Sequence, residues 1–331
     1  MSRCRPMSDD PTFEPPAITN DDLRWASHLL GLPDHAFLGK TEADPRQDVL
    51  KSMERIDVAA CPGSGKTTLL VAKLAILARK WQYRTRGICV LSHTNAARNE
   101  IESRLGNTAA GQRLLAYPHF IGTIHAFVNH FLTLPLLRSL GYKSTQFNTE
   151  IAGQQLWALS GYGGQLPAYL YTKIGNADRR KAAFCEAHYV GEDLDLILEA
   201  ANARVKLLSR KKSECFRVIT KWKLDILHRG YAAYEDTFAY GHRALRKNGN
   251  LAGTLRCRFP LLFIDEAQDN SEEQSKILYR IFADADAPVI RQRLGDPNQA
   301  VFNSVKGKGA TTDVFPGGKI EELPSSHRFG E

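Results

Sequence analysis

The chain has 331 residues, 43% hydrophobic and 24% charged, a balance that supports one or two packed domains and excludes disorder for most of its length. Its longest apolar stretch, Leu69 to Leu77, is interrupted by Lys73, and no window reaches the roughly 20 apolar residues that a bilayer-spanning helix requires. Forty-four Lys and Arg against 36 Asp and Glu leave a net charge of +8, which favours a polyanionic partner.

Residues 1–18 carry Arg3, Arg5, Asp9, Asp10 and four prolines and read as a disordered tail without a secretory signal. The six cysteines include no CxxC pair and read as packing residues of a cytoplasmic protein in a reducing interior. Asn20 predicts the N-cap of a helix through Leu30, stopped by Gly31 and Pro33, and Pro45 opens a second helix through Met53. Ile56 to Ala60 reads as a strand, followed by a Gly-rich turn and a helix from Thr67 to Arg79. A second strand at Ile88 to Leu91, a helix from Asn95 to Leu105 and a third strand at Phe120 to Ile124 continue the alternation. Such βαβ order predicts an α/β fold with a parallel sheet covered by helices.

Between about 128 and 255 strand signals vanish, and Leu194, Ile197, Leu198, Ala201, Val205 and Leu208 fall at helical spacing. A mostly helical inserted subdomain is the expectation. Strands resume at Leu261 to Ile264, Val289 to Leu294 and Ile320 to Leu323, with a helix from Glu272 to Phe282. The expected organisation is a tail over 1–18, an α/β domain over 19–127 and 256–331, and the insertion over 128–255.

Ala60-Cys61-Pro62-Gly63-Ser64-Gly65-Lys66-Thr67 is the Walker A pattern with Ala in place of its first Gly, set between strand and helix. Gly63 and Gly65 let backbone N–H groups curl around phosphate oxygens, the helix N-terminus favours negative charge, and Lys66 reaches the terminal phosphates. Thr67 holds Mg²⁺, and Thr68 extends the ATP-binding set. Leu261 to Ile264 forms an apolar strand that delivers Asp265 and Glu266 at its C-terminal tip, where open parallel sheets place ligands. Asp265 completes the Mg²⁺ shell and Glu266 orients and deprotonates water. A kinase has no need of that second acid, so ATP hydrolysis is favoured.

The acidic segment Asp265-Glu266-Ala267-Gln268-Asp269 resembles motif II of the UvrD/Rep/PcrA family of superfamily 1A DNA helicases, and further segments match in order. Leu91 to Arg98 is similar to motif Ia, Gly122 to Phe127 to motif Ib, Gly295 to Phe302 to motif III, and Leu323 to Arg328 to the start of motif IV. The resemblance implies a RecA-like ATPase domain, called 1A, with an inserted 1B subdomain. It implies Gln47 as the adenine-reading glutamine, Gln299 and Arg328 at the γ-phosphate, and His327 in place of the Tyr that stacks on adenine. It also implies that His93, Thr94, Asn95, Thr123, His125 and Phe302 face single-stranded DNA, Phe302 by base stacking. Three positions depart from the family pattern: His93 replaces the motif Ia aromatic, Ala96 its Lys, and Ser304 the motif III Trp. Stacking on DNA is therefore expected to be weakened or rearranged.

Motifs V and VI and the second RecA-like domain do not occur in these 331 residues. The expectation is the ATP-binding half of a 3′-to-5′ translocase, slow in hydrolysis and unable to unwind DNA unless a second RecA-like domain is supplied. The alternative is a nucleotide-gated DNA-binding subunit that signals to a nuclease or repair partner. From 201 to 250 twelve Lys or Arg stand against four acids. That run reads either as a phosphate-tracking face or as a solvated helix surface.

Overall fold

The computed structural model describes residues 12–39, 44–61, 63–142, 145–161, 168–200, 203–283, 289–296 and 319–323. The chain divides into two compact units, one of Met1–Ile124 with Ala252–Glu331 and one of His125–Leu251. No helix among the described residues is long and apolar enough to cross a membrane.

In the first unit α1 (Asn20–Leu29) is capped one residue before the predicted Asn20: Thr19 Oγ1 accepts the Asp22 N–H and the Asp22 carboxylate accepts the Thr19 N–H. This capping box satisfies two donors at once, which a lone Asn20 cap does not. α2 (Pro45–Lys51) starts on Pro45 with Asp44 as its cap. Then come β1 (Ile56–Ala60), α3 (Lys66–Lys80), β2 (Ile88–Ser92), α4 (Ala96–Leu105), α5 (Ala109–Leu115) and β3 (Phe120–Thr123). α3 is buried over most of its circumference, because it packs against α1, α2, α4 and α5. α5 was not foreseen; its small, weakly periodic sequence gives little signal.

The second unit begins in α6 (Ile124–Val128), runs through a π-turn at Asn129–Thr133 into α7 (Leu134–Ser139), and continues with β4 (Gln146–Phe147) and α8 (Thr149–Leu159). α9 (Ala168–Ile174), α10 (Ala177–Cys185), β5 (His188–Val190), β6 (Asp195–Ala200) and β7 (Ala203–Leu207) follow. The unit closes with α11 (Glu214–His228), β8 (Tyr231–Ala232), α12 (Asp236–Lys247) and the start of α13 (Leu251–Arg258). The helical spacing over 194–208 is overturned: β5, β6 and β7 form an antiparallel sheet in which Leu196 faces Leu207 and Leu198 faces Val205. Leu196, Ile197 and Leu198 are all at most 2% exposed. A strand buried on both faces loses its two-residue alternation, so its apolar positions also fit a 3.6-residue period.

The chain returns to the first unit with β9 (Leu261–Ile264), α14 (Glu272–Phe282), β10 (Ile290–Gly295) and β11 (Lys319–Leu323). The six-stranded sheet has the order β11-β1-β10-β9-β2-β3 and every pairing in it is parallel. Its register is fixed by apolar packing and by the Arg293–Asp57 ion pair between facing residues of β10 and β1. Each of Leu261 to Ile264 is at most 2% exposed, and full burial of such a side chain contributes about 1.5–3 kcal/mol. Because all six strands point the same way, the C-terminal tips of β1, β2, β3, β9, β10 and β11 lie along one edge. Cys257, read as a packing residue, is disulfide-bonded, whereas Cys61, Cys89, Cys185 and Cys215 are free thiols.

Candidate functional site

β1 ends at Ala60, and the loop after it turns on Gly63 (φ 81°) and Gly65 (φ 82°), both left-handed. Glycine adopts that region without the Cβ clash other residues meet. An added Cβ at Gly65 meets nothing within 4 Å among the described residues, so its φ and not crowding selects glycine there. Gly65 is the N-cap of α3 and offers no capping side chain. The first N–H groups of a 15-residue helix therefore face the loop, at the positive end of its dipole. Ser64 is buried, and its hydroxyl has no hydrogen-bond partner among the described residues. The Cys61 N–H donates to the Leu323 carbonyl at 3.5 Å, tying the loop to the end of β11.

β9 delivers the acidic pair to the same edge. Asp265 is 4% exposed; its N–H donates to the Leu91 carbonyl at 2.8 Å and its Oδ1 accepts the Glu266 N–H at 3.1 Å. Burial first, and the Glu266 charge second, push its carboxyl up to about 6, against the opposing pull of the Glu266 N–H and of Lys66. A carboxylate held this way gains from any cation that reaches it. Glu266 sits at φ 48°, ψ 48°, a left-handed conformation that costs a non-glycine residue about 1–2 kcal/mol.

Lys66 and Glu266 meet, with Nζ 3.2 Å from Oε2. Lys66 has a side chain 10% exposed and Glu266 one 40% exposed, so the pair is open on the acid's side. The same Oε2 accepts from Gln268 Nε2 at 2.7 Å, and Gln268 Oε1 accepts the Asp296 N–H at 3.1 Å. Because β10 lies between β1 and β9, the contact from Lys66 to Glu266 passes over the end of β10.

The other predicted residues are placed as follows. Thr67 is half-buried in the first turn of α3, beside Lys66. Thr68 Oγ1 accepts from Arg104 at 2.9 Å. Gln47 lies on α2 with its amide donated to Asn20 at 3.0 Å. His93, Thr94 and Asn95 are exposed just beyond β2, and Thr123 ends the adjacent β3, paired with Ser92. His125, in the second unit, is stacked on Tyr234 with ring centroids 3.5 Å apart, and its Nε2 lies 3.1 Å from the Tyr234 carbonyl. Burial holds this ring below the usual histidine range. Pro62, Gln299, Phe302, His327 and Arg328 lie outside the described residues.

Two residues of the first unit's polar network escaped the sequence reading. Gln268 stood inside a quoted motif without a role, although an amide two residues after an acid at a strand tip is within its reach. Lys73 looked like an interruption of an apolar run. It is 2% exposed and donates to the carbonyls of Val49 (2.7 Å) and Ser52 (2.6 Å) and to Gln292 Oε1 (2.6 Å). Burial lowers its ammonium to about 7.

A parallel sheet whose strand tips carry a glycine-rich loop, its lysine and an Asp-Glu pair defines a RecA-like nucleotide-binding core. The chain belongs to the UvrD/REP helicase family: the model of the UvrD/REP helicase N-terminal domain matches residues 41–308. It is similar to the Gabija protein GajB of Bacillus cereus (strain VD045), 36% identical over 95 residues, 28% of this chain and 17% of GajB. It is also similar to RecB, a RecBCD enzyme subunit of Escherichia coli (strain K12), 27% identical over 179 residues, 50% of this chain and 15% of RecB. The matches thus span less than a fifth of either relative.

Proposed function

We propose that the chain binds ATP with Mg²⁺ and hydrolyses it as the motor core of a DNA helicase or translocase of 3′-to-5′ polarity. The observation that carries this is the meeting of Lys66 and Glu266 at 3.2 Å, 200 residues apart in sequence and just beyond the tips of two strands of one sheet. The left-handed glycines, the uncapped helix N-terminus and the buried, unpartnered Ser64 hydroxyl fit a chain of phosphates. Lys66 then takes the terminal phosphate oxygens, and Glu266, released from the lysine, orients and deprotonates the attacking water.

Among the described residues no three His, Cys, Asp or Glu cluster to hold a metal. Asp265 and the Thr67 hydroxyl would hold Mg²⁺ together with phosphate oxygens, the mode this ion prefers. When bound, it neutralises charge that develops on the phosphates. Gln47 is assigned to the adenine. Gln299, Arg328 and His327 keep the nucleotide roles the resemblance implies.

His93, Thr94, Asn95 and Thr123, at the ends of the adjacent strands β2 and β3, support a single-stranded DNA track along the same edge. The stacking of His125 on Tyr234 supports a positioning part for this histidine rather than an open DNA contact. The 331 residues lack motifs V and VI, so unwinding requires a second RecA-like domain, in a longer chain or in a partner. RecB acts within the RecBCD enzyme, and an assembly with a nuclease subunit is the form in which a nucleotide-gated DNA-binding role would operate here.

Titrating a fluorescent ATP analogue with Mg²⁺ tests the nucleotide reading. Lys66→Ala is expected to weaken binding at least about 100-fold, since it removes charge-assisted bonds to phosphate. Unchanged affinity would refute it.

A further inference from the structure

The Gln268 amide has one orientation only. Its neighbours are a carboxylate oxygen, which can only accept, and a backbone N–H, which can only donate. Its Nε2 must therefore face Glu266 Oε2, at 2.7 Å, and its Oε1 must face the Asp296 N–H, at 3.1 Å. Asp296 is fully buried, and Gly295 before it is the last residue of β10. A Cβ added at Gly295 would stand 2.8 Å from Gln268 Oε1, and among the described residues beyond its chain neighbours no other atom comes closer than 3.8 Å. β10 here keeps a glycine where any side chain displaces this one amide. The amide thus joins the Asp296 backbone, just past the end of β10, to the carboxylate that also meets Lys66.

We propose that Gln268 is a positioning residue that aims Glu266 and takes its own orientation from the backbone of Asp296, so that the carboxylate and the end of β10 move together. The inference rests on the reading of Glu266 as the water-activating group. Gln268 acts through Glu266. It holds one oxygen of Glu266 and leaves the other to act, and its hold follows any shift at the end of β10.

Three substitutions in the full chain test this. Gln268→Met keeps length and removes both bonds. Gln268→Glu keeps an acceptor for the Asp296 N–H but sets a second carboxylate against Glu266. Gly295→Ala leaves Gln268 in place and pushes its amide aside. Single-turnover hydrolysis of Mg-ATP is expected to slow about 10- to 100-fold in all three, with ATP affinity within about twofold of wild type, a split that general loosening of the fold does not give. Hydrogen exchange at the Asp296 amide is expected to speed up in Gln268→Met and Gly295→Ala and to stay slow in Gln268→Glu. Wild-type rates in Gln268→Met and Gly295→Ala, or unchanged exchange at Asp296 in both, would overturn the proposal. Glu266→Gln is measured alongside. If it hydrolyses ATP normally, the reading of Glu266 fails separately and the tie to Asp296 is judged by the exchange data alone, where unchanged protection rejects it.

Discussion

Each of the two units buries a lysine against a carboxylate, and the two pairs are built differently. In the second unit Lys223 Nζ lies 2.9 Å from Asp236 Oδ2, with side chains 7% and 3% exposed. Both partners bond further inside: Lys223 donates to the Ala187 carbonyl and Asp236 Oδ1 accepts the Tyr189 N–H. In the first unit Lys66 and Glu266 are 3.2 Å apart, the acid is 40% exposed, and it stands on a left-handed backbone. A closed pair, buried and bonded to its surroundings, serves packing and register. An open pair on strained backbone is one whose partners can be taken by something else.

The largest effect is expected where the closed pair is broken on one side. Lys223→Met leaves the Asp236 charge buried beside Tyr189, and urea unfolding should show a loss of about 3–5 kcal/mol. Lys223→Met with Asp236→Asn removes the charge, keeps an acceptor for the Tyr189 N–H, and should recover most of the loss. An intact single variant would mean that this pair is as open as the first.

Lys73 sharpens the comparison as a buried lysine held by three neutral oxygens. Its ammonium titrates near 7 when folded and near 10.4 when unfolded. Between those values the unfolded chain binds the extra proton, so the penalty of the buried charge is full below pH 7 and disappears as pH rises towards 10. Wild-type stability should therefore rise against that of Lys73→Met by about 1 kcal/mol per pH unit in that window. A flat difference would mean that the three acceptors keep the ammonium charged throughout.

The smallest effect concerns backbone. Glycine at 266 relieves the left-handed strain whereas glutamine keeps it, so Glu266→Gly should be more stable than Glu266→Gln by about 0.5–1 kcal/mol in thermal unfolding. Equal stability would remove strain from the distinction between the pairs.

The sequence disclosed the open pair's parts more readily than its geometry. β1 and β9 were read at their observed bounds because their apolar runs end in turn chemistry, at Gly63 and Asp265. The left-handed glycines at 63 and 65 follow from the motif that requires them. That Lys66 closes onto Glu266 was not readable, since both were assigned to nucleotide and water, and only strand order brings them together over β10. Gln268 was missed for the same reason: its second partner is a backbone N–H 28 residues away. In the second unit the error at 194–208 was one of period. Three successive buried residues at 196–198 carry no alternation, and cross-strand pairing with 205–207 is a tertiary fact.

The most direct measurement is single-turnover hydrolysis of Mg-ATP by the 331-residue chain, wild type beside Glu266→Gln, with nucleotide binding followed in parallel. The expected result is hydrolysis at least about 100-fold slower in the variant, with ATP bound as tightly as before or more so. A variant that binds and hydrolyses ATP at the wild-type rate would contradict the claim that the carboxylate facing Lys66 activates the water.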